Sequence, residues 1–477
     1  MPSILGGGLS GLSAAFYLLH KGVSGRQIQL FEASARYGGW IKSVQQKGGE
    51  FIFECGPRTI RPVGESGRNT LALLEALKLE QEIVPILKSS PAARRRMIYV
   101  NGQLHVLPSS LMGALKKQSP FSRPLVSALF HDIRTGKSSE LLEDESMYSF
   151  VHRRFGQEIA DYAISPMICG ICAGNAKEIS VKFLMKDLFA KEQQYGGVVR
   201  GMLGSALSSK QGKKTNQDAS KLAQRAKTEK WSIYSLKGGL ETLPKTLFQH
   251  LNENYVKITP NSECISMNFG QNGVDFQFRD STEATESVVA ALPSYKLSEI
   301  VKQQHPMLSE MLSGIPYVDV GVVNVQYSSP DVLKEQGFGF LAAPLEKIPI
   351  LGVIFDSCCF DTKPNTVLTV MMGGHWFREY FGESPKEGDL LATAQKYLKE
   401  ILKIQESPTE SRVNILRKCI PQYIVGHHAR VEGIRKYIVD KKLPLSLCGA
   451  AYDGVGINDV ILSARSAVDA LKAHGIY

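Results

Sequence analysis

Three glycines near the start of the chain have the spacing of a phosphate-binding turn. Residues 6–11 read GGGLSG, a G-x-G-x-x-G pattern. Because glycine has no Cβ, this spacing lets a strand turn sharply into a helix while backbone N–H groups come close to a phosphate. The N-terminus of the helix that follows also favours an anion. The pattern therefore indicates nucleotide binding, with a glycine-rich surface turn as the alternative interpretation.

The sequence around this turn predicts the elements that would position it. Residues 3–5 are the candidate strand before the glycines, and apolar residues recur at helical spacing over residues 12–19. The next predicted strand, QIQLFEA, contains Glu32, 21 residues after Gly11, whose carboxylate could accept hydrogen bonds from both hydroxyls of an adenosine ribose. Together these features predict a dinucleotide-binding unit, which fits NAD and FAD equally.

A second group of glycines follows this unit. Gly38 and Gly39 form a doublet after Arg36, and Gly56 comes shortly before Arg58. These glycines predict that the backbone again approaches a bulky group, with a guanidinium beside it. A set of hairpin turns is the alternative interpretation.

Chain length and composition limit the classes of protein to consider. With 477 residues and 43% apolar residues, the chain predicts two or three domains. No apolar stretch approaches the roughly 18 residues that a spanning helix needs, and no basic and apolar leader precedes the first strand. We therefore expect neither a spanning segment nor a cleavable presequence. Eight scattered cysteines suit a context without disulfides.

The net charge of +10 is unevenly distributed along the chain. Residues 210–230 contain seven Lys or Arg against two acidic residues and few large apolar side chains, so we expect a solvated basic loop. Without aromatic interleaving or a nucleic-acid motif, this charge does not predict binding to nucleic acid. An anionic membrane surface is the partner that it favours.

Residues 107–133 carry a pattern that is typical of helices at a membrane surface. They read LPSSLMGALKKQSPFSRPLVSALFHDI, in which apolar side chains alternate with Lys116, Lys117 and Arg123. One apolar side and one cationic side predict interfacial contact, although a helix packed on a protein core has the same pattern.

Other residues that could carry chemistry are few. Cys169 and Cys172 have C-x-x-C spacing, which suits a redox pair or half a zinc site. No second pair or thioredoxin-like strand accompanies them, so we predict buried structural thiols. The histidines show no ligand spacing with acids, so we predict no metal site. No G-x-S-x-G elbow is present, which argues against a serine hydrolase.

Longer motifs resemble a known superfamily. The segments LGGGLSGLSAAFYL and FEASARYGGWIKS resemble the opening of the flavin amine oxidase and phytoene desaturase superfamily, which implies FAD as the resident nucleotide. Residues 56–62, 166–180, 231–247, 419–427 and 448–467 extend the match from end to end. They are similar to the branch of that superfamily that oxidises protoporphyrinogen IX. The most specific of these motifs is IPQY followed by GH, within CIPQYIVGH.

The fold class expected from these patterns and this resemblance is α/β. It comprises an FAD-binding Rossmann-like domain, a mixed-sheet substrate-binding domain and a largely helical membrane-contact domain. We expect the FAD-binding domain in three pieces, 1–84, 231–296 and 441–477. We expect the substrate-binding domain over 297–440, and the membrane-contact region, which includes the basic loop, over 85–230.

The resemblance implies a set of FAD-contacting residues that spreads over the three pieces. No catalytic residue is assigned, because flavin chemistry asks the protein mainly to position the donor carbon. The implied cofactor residues are Gly6, Gly7, Gly8, Leu9, Ser10, Gly11, Glu32, Ala33, Trp40, Gly56, Pro57, Arg58, Thr59, Glu263, Val455, Gly456 and Ile457.

The resemblance also implies a tetrapyrrole site with a cation for the propionates and apolar walls. Arg96, the last residue of ARRR, takes the first role, because a guanidinium is a planar fork that matches a carboxylate. Without the resemblance, an arginine run is a solvated face and the apolar wall residues are ordinary core. The implied wall residues are Phe338, Gly339, Leu341, Met371 and Ile420.

The implied activity is the six-electron oxidation of protoporphyrinogen IX to protoporphyrin IX in haem biosynthesis. Molecular oxygen would be the acceptor and hydrogen peroxide the by-product. A related flavin oxidase of coproporphyrinogen III or an amine, and a non-catalytic membrane adaptor that retains FAD, are the alternatives. The implied location is peripheral or monotopic, on the intermembrane-space side of the mitochondrial inner membrane. A homodimer and hand-off of the product to a ferrochelatase stay open.

Overall fold

The computed structural model of this chain describes residues 2–45, 51–136, 141–208, 220–271, 273–360, 362 and 364–473. The chain forms two compact units, each built from separated segments. Unit 1 comprises Met1–Leu87, Ala219–Pro316 and Ala429–Tyr477, and unit 2 comprises Lys88–Asp218 and Tyr317–His428.

Strands occur in both units and are numbered in chain order. Within the described residues they are β1 (Pro2–Leu5), β2 (Gln29–Phe31), β3 (Ser43–Gln45), β4 (Ile52–Glu54), β5 (Ile83–Leu87), β6 (Arg96–Val100), β7 (Gln103–Val106), β8 (Trp231–Leu236), β9 (Lys257–Thr259), β10 (Cys264–Gly270), β11 (Gly273–Phe278), β12 (Thr282–Thr285), β13 (Ser287–Ala290), β14 (Tyr317–Tyr327), β15 (Gly339–Ala342), β16 (Ile350–Phe355), β17 (Thr366–Gly374), β18 (Glu410–Pro421) and β19 (Leu445–Leu447).

Helices connect and cover these strands. Within the same residues they are α1 (Leu9–His20), α2 (Gly64–Ala76), α3 (Pro91–Arg94), α4 (Leu111–Ala114), α5 (Ser127–Thr135), α6 (Met147–Phe155), α7 (Gln157–Ile159), α8 (Ser165–Cys172), α9 (Lys182–Tyr195), α10 (Val198–Ser208), α11 (Lys221–Thr228), α12 (Thr242–Glu253), α13 (Ser294–Val301), α14 (Pro306–Ser313), α15 (Asp356–Cys359), α16 (Phe377–Phe381), α17 (Glu387–Leu402), α18 (His427–Asp440) and α19 (Ile457–Ala473).

A parallel sheet is the centre of unit 1, and its described strands follow the order β19-β13-β1-β2-β9. The short strand β1 lies in the middle, and β1 and β13 are buried at every residue, as expected for strands covered on both faces. Helices α1 and α19 pack together in a core that includes Ile4, Leu12, Leu30, Val289 and Ile461. The expected α/β fold is confirmed, with strands from three separated segments in one sheet.

A mixed sheet is the centre of unit 2, and its described strands follow the order β18-β14-β17-β16-β15-β6-β7. Neighbouring strands are antiparallel except β6 and β15, which are parallel. Val323 and Leu390 belong to a core that includes α17, whereas Val322 belongs to a second cluster with Cys169 of α8. Because side chains alternate along β14, these clusters lie on opposite faces of the sheet.

The segment expected to be a separate membrane-contact region joins this sheet. Strands β6 and β7 lie within residues 85–230, and β6 pairs with β15 from Arg96↔Gly339 to Tyr99↔Ala342. This pairing ties the helical segment to the strands of the later segment, so both belong to one compact unit. The remainder of the segment, from α4 to α10, is mainly helical.

The prediction of a solvated loop over residues 210–230 is wrong for residues 220–230, the part of this range that the structure describes. Helix α11 begins after Ser220, whose hydroxyl accepts a hydrogen bond from the backbone N–H of Ala223 at 3.2 Å. Leu222 and Ala226, one helical turn apart, are buried in the core of unit 1. Two apolar residues among many charged ones were too few for the sequence to predict the buried face of α11. The rest of the predicted loop, up to residue 219, lies outside the described residues.

A buried ionic cluster connects four helices of unit 2. Arg154 of α6 is fully buried and pairs with Glu192 of α9 and, at 3.6 Å, with Asp132 of α5. Asp132 also accepts hydrogen bonds from the backbone N–H groups of Val198 and Val199, at the start of α10. Burial alone would raise the pKa of the Glu192 carboxyl, but hydrogen bonds from Arg153 and Arg154 outweigh it and hold that pKa below 4.5.

We predict that Arg154→Ala lowers the free energy of unfolding by about 3 kcal/mol at neutral pH, because it leaves buried carboxylates without their partner. Since the folded-state pKa of Glu192 is depressed, its contribution is present above the unfolded-state pKa and is lost as the pH falls through the folded-state value. The difference between the two proteins should therefore shrink below about pH 4.5. Chemical denaturation across pH measures this, and a difference independent of pH contradicts it.

A matched control is Arg378→Ala, which breaks an exposed ion pair with Glu383. Exposed pairs contribute little, so this change should stay within about 0.5 kcal/mol of the unmodified protein.

Candidate functional site

The turn between β1 and α1 is shaped by contacts within the protein at most of its glycines. Gly6 has a φ of +103°, which favours glycine. A Cβ on Gly7 would lie 2.8 Å from Cδ1 of Tyr37, and a Cβ on Gly11 would collide with the carbonyl oxygen of Gly6. The protein's own packing therefore explains these three glycines.

Gly8 is different, because no contact among the described residues requires it to be glycine. Its φ is −70° and its ψ is 179°, which any residue can adopt, and it caps the N-terminus of α1. A Cβ there would project into open space, with the Cα of Gly39 as its nearest neighbour at 3.7 Å. A ligand that approaches the backbone at the start of α1 explains the glycine, and a pyrophosphate fits this place.

Glu32 is held beside the turn by hydrogen bonds that the sequence did not reveal. Its Oε2 accepts a hydrogen bond from the backbone N–H of Gly7 at 2.7 Å. Its Oε1 accepts hydrogen bonds from the backbone N–H and the hydroxyl of Ser34, at 2.9 and 2.7 Å. Each carboxylate oxygen can accept two hydrogen bonds, so Oε2 keeps capacity for a ribose hydroxyl. The carboxylate therefore also fixes the turn.

The glycine doublet lies directly against the turn. The backbone N–H of Gly38 donates to the carbonyl of Gly7 at 2.8 Å, and Gly39 approaches Gly8. The guanidinium of Arg36 holds this loop by donating to the backbone carbonyls of Gly39 and, at 2.9 Å, Ile41. The second group of glycines therefore extends the surface around Gly8.

A carboxylate network fixes the segment GGLETL to the loop that contains the doublet. Glu241 accepts hydrogen bonds from the N–H of Ser43 at 3.2 Å and from Arg36 at 3.5 Å. The hydroxyl of Ser43 donates a hydrogen bond to Glu54 at 2.7 Å, and Glu54 accepts another from the backbone N–H of Leu240 at 2.7 Å. Both carboxylates are buried, so these bonds hold the two segments firmly.

The third segment of unit 1 also reaches the turn. A Cβ on Gly449 would lie 3.5 Å from the hydroxyl oxygen of Ser10, so the backbone after β19 passes close to the start of α1. Val455, Gly456 and Ile457 are half-buried at the N-terminus of α19. The third segment therefore meets the first at Ser10, one of the predicted cofactor residues.

The other predicted cofactor residues have varied surroundings in unit 1. Leu9 and Arg58 are buried, and Thr59 is half-buried. Gly56 approaches the carbonyl oxygen of Trp40, which is enough to explain that glycine. The exposed members of the set are Ala33, Trp40 and Pro57, together with Glu263, which pairs with Lys296 at 3.7 Å.

Most of the predicted substrate residues lie on one face of the sheet of unit 2. Leu341 of β15 is opposite Gly352 of β16, which is opposite Met371 of β17. Residues that are directly opposite share a face. Met371 and Ile420 pack against the same cluster beside α8, and all three apolar side chains are only half-buried. A flat apolar molecule could cover this row.

Arg96 is at the edge of the same row. It is the first residue of β6, directly opposite Gly339, and it is exposed. Since Arg96 and Ile98 alternate with Met97 along β6, and Ile98 is opposite Leu341, the guanidinium is on the face of the apolar row. Phe338 precedes β15 and is half-buried.

Cys169 and Cys172 are buried structural thiols, as predicted. Both lie in α8, where their thiols face the backbone carbonyls of Gly174 and Ile168 at 3.5 and 3.4 Å. Burial raises the pKa of each thiol to about 12, which opposes formation of the thiolate that redox chemistry or zinc binding needs. The described residues contain no group of three or more His, Cys, Asp or Glu that could hold a metal ion.

Comparison with known proteins agrees with this geometry. Residues 9–472 match the family of flavin containing amine oxidoreductases. The protoporphyrinogen oxidase of Homo sapiens is 37% identical over 97% of this chain and 96% of its own length. That of Schizosaccharomyces pombe is 33% identical over 97% of both chains. This chain belongs to the protoporphyrinogen oxidase branch of the flavin-containing amine oxidoreductase family.

Solved structures show the same fold. A putative protoporphyrinogen oxidase from Exiguobacterium sp. 255-15 has a TM-score of 0.78 at 22% identity, over 99% of this chain and 98% of that chain. Cyclohexylamine oxidase from Brevibacterium oxydans has a TM-score of 0.71 at 15% identity, with the same coverage. Family membership makes this chain a flavin-dependent oxidase with FAD as its cofactor.

Several residues that shape the site were missed as site residues in the sequence. Ser34 acts through hydrogen bonds to Glu32, two residues before it, whereas Ser43 and Glu241 bond to each other across 198 residues of the chain. The signal available was a polar residue inside an otherwise apolar motif, as Glu241 is in GGLETL. The sequence identifies Arg36 only as the neighbour of the doublet, because its hydrogen bonds to the loop depend on where the backbone carbonyls lie in the folded chain.

We predict that Gly8→Val lowers FAD affinity roughly a hundredfold, because about 3 kcal/mol of backbone hydrogen bonding to the pyrophosphate is lost. The backbone of Gly8 suits valine, so the fold should persist. Flavin absorbance per protein and the circular dichroism of the purified variant measure the two effects. Gly388→Val is the control, because a Cβ there meets nothing within 4 Å among the described residues and Gly388 belongs to unit 2. A Gly8→Val protein with full flavin content contradicts the assignment.

Proposed function

We propose that this chain oxidises protoporphyrinogen IX to protoporphyrin IX and passes the six electrons to molecular oxygen in three two-electron rounds, with hydrogen peroxide as by-product. Relatives named protoporphyrinogen oxidase, 37% identical over 97% of the chain, support this reaction. When bound, FAD supplies the two-electron acceptor. The residues around Gly8 and Glu32 hold its nucleotide portion.

The observation that carries the substrate class is the apolar row with a cation at its edge. Leu341, Met371 and Ile420 offer half-buried apolar surface on one face, and Arg96 is on that face where β6 begins. A flat apolar ring system with carboxylates along one edge complements this arrangement. The apolar side chains bind and orient the ring system, and the guanidinium of Arg96 determines which edge of the ring system lies beside β6.

An amine substrate fits this row less well. The residues opposite one another across the row, Ile98, Leu341, Gly352, Met371 and Val322, include no acidic group to pair with an ammonium. Burying an unpaired cation against such a surface is costly. The row therefore favours a porphyrinogen over an amine.

The proposed location is the intermembrane-space side of the mitochondrial inner membrane, with peripheral attachment. A relative from Nicotiana tabacum is named as a mitochondrial protoporphyrinogen oxidase. Among the described residues, no helix combines the length and the apolar character needed to cross a bilayer. Large apolar side chains are exposed on unit 2, and exposed apolar groups of this kind can contact a membrane. They include Met112, Leu115, Leu129, Phe130, Met202 and Leu203.

Oxygen uptake by the purified FAD-loaded enzyme tests the reaction. With protoporphyrinogen IX we expect three oxygen molecules consumed and three peroxide molecules released for each porphyrin formed. A higher catalytic efficiency with coproporphyrinogen III or an amine would replace the substrate assignment. Porphyrinogen binding without oxygen uptake would instead indicate a non-catalytic adaptor.

We predict that Arg96→Ala raises KM for protoporphyrinogen IX roughly tenfold to a hundredfold, because a charge-assisted hydrogen bond to a propionate, of about 1–3 kcal/mol, is lost. Flavin content and kcat should change much less, since the guanidinium acts on substrate binding. Arg96→Lys should recover part of the loss, because an ammonium keeps the charge but not the fork.

Arg94→Ala and Arg95→Ala are the matched controls within the same arginine run. Arg94 donates to the carbonyl of Lys88 at 3.3 Å, and Arg95 lies 3.8 Å from Glu335 in an exposed ion pair. Steady-state kinetics should show little change for either variant. The same modest effect in all three alanine variants would mean that the propionate is bound elsewhere.

A further inference from the structure

A cationic surface cavity lies on helix α5, outside the sites described above. It has a volume of about 330 Å³ and is lined by Arg123, Ser127, Phe130, His131, Arg134 and Thr135. The five lining residues of α5 follow the spacing i, i+3, i+4, i+7 and i+8, so they form one face of that helix. Arg123 lies on the segment before α5 and completes the wall.

The cations of this cavity are free to bind an anion. Among the described residues, neither Arg123 nor Arg134 has a hydrogen-bond or ion-pair partner, and both are exposed. The neighbouring carboxylates are engaged elsewhere: Asp132 faces the protein interior with Arg154, and Glu158 accepts a hydrogen bond from the N–H of Ser122 at 2.9 Å. Two guanidinium groups around one cavity suit a phosphate, which accepts two-pronged hydrogen bonds.

His131 adds a third group to the wall. Its Nδ1 lies 3.1 Å from the backbone carbonyl oxygen of Arg154, which can only accept, so Nδ1 carries a proton. The hydroxyl of Thr135 donates to the carbonyl of His131 at 2.8 Å and is used within the helix. Nε2 of His131 has no partner among the described residues. The hydroxyl of Ser127 likewise has no partner within them, so both can meet a ligand.

An apolar surface adjoins the cationic cavity. Phe130, 63% exposed, is at the edge of the cavity, and Leu129 and Ile133, one turn apart and also exposed, continue the apolar surface from Phe130 around α5, away from the arginines. Met202 and Leu203 of α10, a helix that packs against α5, are exposed as well. A ligand that fills the cavity and also covers this surface has a phosphate at one end and hydrocarbon at the other.

We propose that this cavity, lined by Arg123, His131 and Arg134, binds the phosphate headgroup of an anionic phospholipid whose acyl chains lie against Leu129, Phe130 and Ile133. The inference rests on the membrane contact proposed above and adds a defined headgroup site to it. A free phosphate would satisfy the guanidinium groups but would leave the apolar surface exposed, which is why the phospholipid is the favoured occupant.

Vesicle binding by the FAD-loaded enzyme tests this proposal with charge-matched variants. The probes are phosphatidylcholine vesicles with and without about 20 mol% phosphatidylglycerol, which gives the vesicle surface a negative potential. Binding of the enzyme to the vesicles is measured by co-sedimentation. The test variant is Arg123→Gln/Arg134→Gln. The control is Lys116→Gln/Lys117→Gln, which removes the same charge from exposed residues of the same segment outside the cavity.

The unmodified enzyme should bind phosphatidylglycerol vesicles more tightly than pure phosphatidylcholine vesicles. The affinity of the arginine variant for phosphatidylglycerol vesicles should fall roughly tenfold or more. The fall in affinity of the lysine variant should be several-fold smaller. Arg123→Lys/Arg134→Lys should bind with intermediate affinity, because it keeps the charge but not the fork. Unchanged flavin absorbance and melting temperature in each variant show that the fold is intact.

Three outcomes overturn the proposal. Equal losses in the arginine and lysine variants would mean diffuse surface charge without a headgroup site, although membrane contact would stand. Absence of vesicle binding by the unmodified enzyme would remove the membrane contact itself. Stabilisation by inorganic phosphate that depends on the two arginines, with no preference for phosphatidylglycerol, would assign the cavity to a free phosphate.

Discussion

The close approach of backbone segments around residues 6–11 is the constraint on which unit 1 depends. Gly11 lies so near the carbonyl of Gly6 that a side chain cannot fit there, and Gly38 donates to the carbonyl of Gly7. Gly449 brings the third segment against Ser10. With the backbone this tightly packed, open space remains above Gly8, where a nucleotide pyrophosphate can meet the N-terminus of α1.

This close packing holds together a domain whose strands come from three separated segments of the chain. β1 and β2 come from the first segment, β9 and β13 from the second and β19 from the third, and all pair in parallel. Carboxylates then join the loops: the half-buried Glu32 ties β2 to the turn, and the buried Glu54 and Glu241 tie the second segment to the first. Each of these carboxylates accepts backbone N–H groups, so hydrogen bonding as well as apolar packing fixes the site.

The sequence predicted the nucleotide unit well because its signals are local. The glycine spacing, the short strand and the helical periodicity each depend on neighbouring residues, and the α/β fold is confirmed. It predicted the long-range arrangement less well. Leu222 and Ala226 are buried in α11 although charged residues surround them, and one of the two strands that pair with β6 is β15, more than 200 residues later in the chain. Pairing between distant strands is set by the packing of whole faces, which no short window contains.

Anaerobic titration of the purified enzyme with protoporphyrinogen IX is the sharpest test of substrate oxidation by the flavin, because it observes the cofactor and the substrate together without the oxygen step. We expect the absorbance of the oxidised flavin to bleach while porphyrin fluorescence appears, with one substrate molecule reducing three flavins. Flavin that stays oxidised in the presence of excess protoporphyrinogen IX, in a protein that retains its FAD, would exclude the proposed reaction.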